Sequence, residues 1–462
     1  MKSQQRLPRP SRLVNAANHV FPILWKSRLL PRTELDADAI CEKVERETEL
    51  GDFGCEWFRQ PLELLIEALH EEASLSPLGL FGAIGQLEKV LRDRLWTQHW
   101  LSEHPEIEQR ALHRPIFVVG PMRSGTTRLH RLLAADERFS HLRFFETISP
   151  TPRPEFRHDE IDKRRAYARR LLALVHSLNP NTAVIHPTGP LEPEEELGLL
   201  VASMWGMKHE AQWHVPTYGR WAEGQDAAPA YEHMARLLKL VGWARGEDDL
   251  RPWVLKTPQH MLDLPALLRV FPDARIIFTH REPQAVVGSS CSLVWNQMII
   301  HSNRVDAQGI GREWLRKTAL QIERMQQARE RLPEAQRIDV HFEEMDRDWK
   351  SVMKRIYAFL DMDIAPALPT MSRYLRRAER KRTRHPHRYS LPAFGLDANE
   401  VGERFERYRR DFDLVPPSAA AAVQKGARTL LEVQTPAYVR ALGDWEHPKA
   451  PIVSASRATA RR

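Results

Sequence analysis

The sequence predicts an α/β fold: a doubly wound, mainly parallel sheet flanked by helices, entered through a P-loop-like unit, with an N-terminal helical extension and a helical insert. Three observations predict it. Short β-branched or aromatic runs recur at Ile116–Val119, Trp253–Leu255, Arg275–Thr279 and Ile338–Phe342. A stretch with helical spacing follows each, as with Leu129, Leu132 and Leu133 after the first, and strands alternating with helices argue for parallel pairing. The first run ends at Gly120-Pro121, so the domain opens as strand, turn, helix.

The composition sets the class. At 462 residues, 42% hydrophobic and 28% charged, the chain is an ordinary soluble, core-forming protein. Its net charge of +7 suits an anionic ligand and is too small and scattered to imply nucleic acid. Cys41, Cys55 and Cys291 are too few for a disulfide framework or a zinc site, which points to a reducing compartment. No apolar run reaches the length of a transmembrane helix. The stretch Val20–Trp25 is short and broken by Pro22, a poor signal peptide. The expectation is a cytoplasmic protein.

In order along the chain, residues 1–113 read as a helical extension, with Leu62, Leu65, Ile66 and Leu69 at helical spacing. A packing layer, or the interface of a homo-oligomer, accounts for it. Residues 114–415 form the α/β domain. Within it, 155–248 is a helical insert rich in aromatic residues, among them Trp205, Trp213, Tyr218 and Tyr231. Residues 416–462 are expected to be a C-terminal helix and basic tail.

The chemistry begins at the first turn. Gly120-Pro-Met-Arg-Ser-Gly125-Thr126-Thr127 has the glycine spacing of a phosphate loop, in which backbone N–H groups and a helix N-terminus surround an anion. A nucleotide triphosphatase carries lysine after the second glycine; this chain carries Thr126. That lysine normally spans the β- and γ-phosphates. Here the cation is Arg123, inside the loop, which suits one terminal anionic group rather than a magnesium-bound triphosphate. An ordinary glycine turn is the plainer alternative.

Pro121–Thr127 resembles the 5′-phosphosulfate-binding loop of the sulfotransferase superfamily, whose cytosolic members carry lysine where Arg123 stands; the arginine form is similar to the bacterial-type branch. The resemblance runs from about residue 113 to 415. It implies 3′-phosphoadenosine 5′-phosphosulfate (PAPS) as co-substrate, no metal, and contacts from Arg123, Ser124, Gly125, Thr126 and Thr127. Arg281, at a strand end, and Ser289, eight residues on, resemble the family's 3′-phosphate site, and a guanidinium with a hydroxyl suits a phosphate monoester. Alone, the pair could equally be a solvated strand-end arginine and a small packing residue. Lys256, closing a strand, aligns with the lysine that contacts the sulfuryl group or its bridging oxygen.

The proton acceptor is open between two residues. Cytosolic relatives place a histidine two residues after that lysine, where this chain has Pro258; the nearest imidazole is His260. The other candidate is Glu146, following a segment expected to be the second strand, with its pKa raised by burial among Phe144 and Phe145. Glu192, Glu194, Glu195 and Glu196 follow a Pro-rich turn and offer a weaker candidate, since carboxylates in a helix's first turn are expected from the dipole alone. Met204, Trp205, His209, Trp213 and His214 could line an apolar acceptor pocket or form plain core.

From Arg373 to Arg388 stand eight lysines or arginines and one glutamate, then Tyr389. Arg388 and Tyr389 are the candidate lid over the 3′-phosphate; the family's Arg-Lys-Gly is absent. The function implied is sulfuryl transfer from PAPS to a hydroxyl or amine of a small molecule, lipid or carbohydrate. A nucleotide kinase is disfavoured by Thr126. A nucleic-acid-binding role for the basic run is disfavoured because no aromatic stacking pattern accompanies it.

Overall fold

Four short parallel strands organise the chain, in the order β2-β1-β3-β4. They are β1 (Ile116–Val119), β2 (Val254–Leu255), β3 (Arg275–His280) and β4 (Arg337–His341). The computed structural model describes residues 7–30, 34–158, 160–380 and 390–414. All four β1 side chains are buried, as a strand covered on both faces requires. Phe117 and Val119 point into one core with Ile276 and Phe278, whereas Ile116 and Val118 point into another with Ile277. This alternation makes the sheet doubly covered.

The helices follow in chain order. The N-terminal layer comprises α1 (Arg12–Lys26), α2 (Ala37–Thr48), α3 (Arg59–Glu71), α4 (Pro77–Glu103) and the short α5 (Glu106–Gln109). Ser11, Asp36 and Ser76 cap α1, α2 and α4, each side chain accepting from a backbone N–H of the first turn. After β1 comes α6 (Thr126–Leu133), then α7 (Phe144–Ile148). The insert contains α8 (Arg164–Leu178), α9 (Asn181–Ile185), α10 (Leu197–Val201), α11 (Lys208–Gln212), α12 (Pro216–Glu223) and α13 (Ala228–Ala244).

After β2 lies α14 (His260–Val270), and after β3 lie α15 (Pro283–His301) and α16 (Ala307–Arg331). After β4 come α17 (Phe342–Phe359), α18 (Leu368–Arg380), α19 (Ala398–Arg404) and α20 (Glu406–Asp411). Helices α13 to α16 cover one sheet face and α6 with α17 the other. A third cluster joins α2, α3 and α4 to Met204, Trp213, Val215 and Tyr218 of the insert. The N-terminal layer therefore shares a core with the insert. No helix among the described residues is long and apolar enough to cross a membrane.

The chain leaves β1 for β2 on one side and returns to β3 on the other. That reversal opens a crevice at the carboxyl ends of β1, β2 and β3, where open α/β sheets bind ligands.

Two expectations need correction, and of the two readings of the aromatic insert the structure takes the plainer one. No second strand precedes Glu146; Ser140 makes an isolated bridge to Trp253 and residues 144–148 are helical. The glutamates 192–196 are not a helix's first turn, because α10 begins at Leu197. The aromatic insert is core: Met204, Trp205, His209 and Trp213 are all buried, while His214 is exposed.

Candidate active site

Three strand ends deliver the site. The loop after β1 is held by glycine at two points. A Cβ on Gly120 would sit 2.0 Å from Thr279 Oγ1 and 2.7 Å from its carbonyl oxygen, so only glycine lets the loop lie against β3. Gly125 has φ +87°, and Arg123, without that freedom, has φ +68°. Left-handed positions two residues apart belong to the backbone nests that concentrate N–H groups on an anion. Gly120→Ala is accordingly expected to destabilise the fold by about 1–3 kcal/mol, an overpacking cost readable by urea unfolding. An unchanged midpoint would mean the loop can shift away from Thr279.

Ser124 is buried, and its hydroxyl bonds Pro121 O and Thr279 Oγ1, each at 2.7 Å, while its N–H donates to Pro121 O at 3.2 Å. Expected to face a co-substrate, this side chain braces the turn instead. Thr126 is buried at the start of α6, and Thr127 beside it reaches Lys256.

The second anion motif folds onto the first. Arg123 Nε donates to Ser289 Oγ at 3.0 Å, and Arg123 Nη1 to Ile185 O at 3.1 Å. Arg281 Nη1 donates to Arg123 O, and its guanidinium lies 3.9 Å from the Phe342 ring centroid. An aromatic face under a guanidinium fixes its plane while leaving its charge in place. Arg123, Arg281 and Ser289, distant in sequence, are therefore one contact group.

Lys256 stands just past β2, buried, its ammonium paired with Glu195 and donating to Thr127 Oγ1 at 3.2 Å. Behind it runs a buried chain. The Lys256 N–H donates to Glu196 Oε2 at 2.8 Å, Glu196 Oε1 meets His260 Nε2, and His260 Nδ1 lies 2.7 Å from the Tyr231 hydroxyl. A carboxylate accepts, so His260 donates from Nε2 to Glu196, and its Nδ1 hydrogen-bonds the Tyr231 hydroxyl. Burial raises the Tyr231 hydroxyl well above its ordinary pKa, keeping it a donor. His260 has no accessible surface, so this geometry makes it an interior support for Lys256 rather than an imidazole facing the crevice.

Glu146 departs furthest from expectation. Its carboxylate accepts from both Nε and Nη2 of Arg245 and from the Arg143 N–H at 2.7 Å. Burial, the largest single influence, would raise its pKa, but Arg245 and Arg143 together outweigh it and hold the carboxyl below the ordinary carboxylate value. Glu195, half-buried at the tip of the glutamate run, is the carboxylate that meets Lys256. Glu194 beside it bonds His186 at 3.1 Å; burial would raise its pKa, but His186, Arg131 and Lys256 together hold it well below the usual value. Arg131 of α6 straps this segment down through Pro187 O and Pro193 O. Arg388 and Tyr389 lie outside the described residues, as does the segment 416–462.

A sulfotransferase family model matches residues 115–366, more than half of the chain. The chain belongs to the sulfotransferase family. It is similar to sulfotransferase STF1 of Mycobacterium tuberculosis H37Rv, with 30% identity, a TM-score of 0.71, and coverage of 81% of this chain and 99% of that one. Sulfotransferase STF9 of Mycobacterium avium matches at 25% identity and a TM-score of 0.74, over 83% of this chain and 98% of that one. Both spans exceed what residues 114–462 could supply, so part of the N-terminal helical layer belongs to the shared fold. The first quarter of the chain is therefore not wholly outside the likeness, contrary to what the motifs alone suggest.

Among characterised sequences, the chain resembles the omega-hydroxy-beta-dihydromenaquinone-9 sulfotransferases Stf3 of Mycobacterium bovis and Mycobacterium tuberculosis, at 24% identity over 284 residues. The match spans 56% of this chain and just under two thirds, 66%, of those relatives. The fold thus brings Arg123, Arg281 and Ser289 together, with Lys256 nearby on Thr127. Glu195, which meets Lys256, has no sequence signal beyond a glutamate run after a Pro-rich turn.

Proposed function

We propose that this chain transfers the sulfuryl group of PAPS to a hydroxyl on an apolar, lipid-like acceptor. The observation that carries the proposal is the meeting of Arg123, Arg281 and Ser289 beside a loop that only glycine can form, with Lys256 on the adjoining strand end. Two guanidiniums, an ammonium, hydroxyls and a backbone nest are the donor set for a dianionic phosphate next to a phosphosulfate. No lysine follows the second glycine, the position from which a triphosphate is clamped.

In this reading Arg281 and Ser289 hold the 3′-phosphate, while the loop from Arg123 to Thr127 holds the 5′-phosphosulfate. The bound co-substrate supplies an activated sulfuryl group. Lys256 donates to the oxygen that bridges phosphorus and sulfur, steadying the charge that gathers there as the S–O bond breaks. Glu195 takes the proton of the acceptor hydroxyl while the new O–S bond forms. Its half-buried carboxylate is the one that meets the Lys256 ammonium, which supports it as the base. His260, Glu196 and Tyr231 fix the backbone of Lys256 from behind.

A lipid-like acceptor is supported by the Stf3 relatives, whose name gives a hydroxylated dihydromenaquinone as the molecule they act on. An amine, carbohydrate or small phenol has no comparable support.

Calorimetry with 3′-phosphoadenosine 5′-phosphate (PAP) tests the co-substrate. Wild type should bind it without magnesium and ahead of magnesium-ATP, and Arg281→Ala should weaken binding about 10- to 150-fold, the worth of lost hydrogen bonds to a charged group. Preference for magnesium-ATP, or indifference to Arg281, would refute the proposal.

A further inference from the structure

Among the described residues, nothing packs on the outward face of α1. Its inward face is firmly seated. Val14 is buried, Phe21 packs on Phe81 with ring centroids 4.8 Å apart, and Asn18 Oδ1 accepts from the Leu78 N–H at 2.9 Å. The preceding Pro8 carbonyl accepts from Trp295 Nε1 at 2.9 Å. The helix is thus anchored on α4 and α15, and what it turns outward is a consequence of the fold.

That outward face has two strips. Leu13, Ala16, Val20 and Ile23, spaced for one side of a helix, are all exposed, and the three larger ones expose 47%, 48% and 65% of their surface. Arg12, His19 and Lys26, seven residues apart, form the adjoining strip and are also exposed. Beyond the helix, Arg28 and Leu29 are exposed, Leu29 by 77%. Phe81, 46% exposed, sits beside Phe21. Helix α8, which packs against α1, adds exposed Leu174, Arg169 and Arg170.

Charge identifies the occupant. Residues 1–33 contain seven lysines or arginines and no aspartate or glutamate, in a chain whose overall excess is only +7. A large apolar strip on a water-facing helix is costly, and scattered exposed side chains would not align at helical spacing. An apolar strip bordered by cations on one helix is the pattern that lies in the plane of an anionic bilayer, side chains in the acyl boundary and cations among the headgroups. A second copy of the chain would bring the same positive strip against itself, and like charges oppose that pairing.

We infer that α1 docks this protein on anionic phospholipid surfaces, with Leu13, Val20 and Ile23 entering the acyl boundary and Arg12, Lys26 and Arg28 contacting headgroup phosphates. The inference stands on α1 alone and does not depend on the acceptor proposed above.

Vesicle flotation of the full chain tests it, using phosphatidylcholine vesicles with and without 30% phosphatidylglycerol, at about 0.1 and 0.5 M salt, where the Debye length falls from ~10 Å to roughly 4 Å. Wild type should float with the anionic vesicles at low salt and lose most of that binding at high salt or on neutral vesicles. Val20→Glu/Ile23→Glu should abolish flotation, and Arg12→Ala/Lys26→Ala should weaken it about fivefold per charge. PAP affinity of each variant, unchanged if the fold is intact, separates lost docking from lost structure. Equal binding to neutral and anionic vesicles, or none to either, overturns the inference. So does a wild-type dimer by light scattering that Val20→Glu/Ile23→Glu converts to monomer, which would assign the strip to a second copy.

Discussion

Glu195→Gln is expected to lower kcat by about 10²–10⁴-fold, the usual worth of a positioned general base, while leaving PAP affinity close to wild type. The amide keeps the size of the side chain and can still accept from the Lys256 ammonium, so the pair's geometry survives. What it cannot do is accept the acceptor's proton. Turnover is best followed as PAP release from PAPS, using whichever member of a chain-length series of alcohols reacts fastest. Glu146→Gln is the comparison. Its carboxylate is spent on Arg245 and the Arg143 N–H, so a folded Glu146→Gln protein should keep its kcat. The reverse ranking, with Glu146→Gln inactive though folded and Glu195→Gln active, would return the base to Glu146.

The contrast between these glutamates shows what the sequence carried and what it did not. Gly120 to Thr127 was legible because its signal is local: a β-branched run, two glycines at fixed spacing, and an amphipathic helix lie within twenty residues. The same holds for Lys256 and Arg281, each just past the end of a readable strand, and for Ser289 in the helix that follows. Glu195 is different. It reaches Lys256 from a loop 61 residues earlier, and that loop is positioned by Arg131 bonding Pro187 and Pro193, contacts no periodicity announces.

Glu146 misled for a related reason. Phe144-Phe145 has strand texture, but the Glu146 side chain reaches back to the Arg143 N–H and caps a short helix instead. Burial is expected to lift its pKa, and burial does act in that direction; a guanidinium 99 residues away, helped by Arg143, then reverses the sign. His260 shows the same limit. Its position near Lys256 in sequence suggested a displaced base, whereas Glu196 and Tyr231, from two other elements, enclose it completely. Local pattern picks out the candidate anion site because strand ends and loops build it. The surroundings of the candidate bases are set by long-range pairing, which local pattern does not carry.

That pairing should dominate stability as well. Arg245→Ala is expected to cost about 3–5 kcal/mol at pH 7.5, measured by urea unfolding, because it leaves the buried Glu146 carboxylate without its main counter-ion. The pH dependence tests the cause. In wild type the folded pKa of Glu146 lies below its unfolded value, so its contribution is fully present above the ordinary carboxylate range and is lost as the pH falls through the folded pKa. In the variant burial is left without Arg245 to oppose it, and Arg143 Nη1, at 4.0 Å, is too distant to take over. The folded pKa should then rise above the unfolded one, so the variant gains relative stability as the pH falls and the proton is taken up. The gap between the two proteins should therefore narrow between pH 7.5 and pH 5. Glu146→Gln/Arg245→Met, which removes both charges and keeps the volume, should be less damaging than Arg245→Ala alone. A gap that stays constant with pH, or a double substitution worse than the single one, would mean that Arg245 acts through its packing on Trp253 and its bond to His141 O rather than through the charge of Glu146.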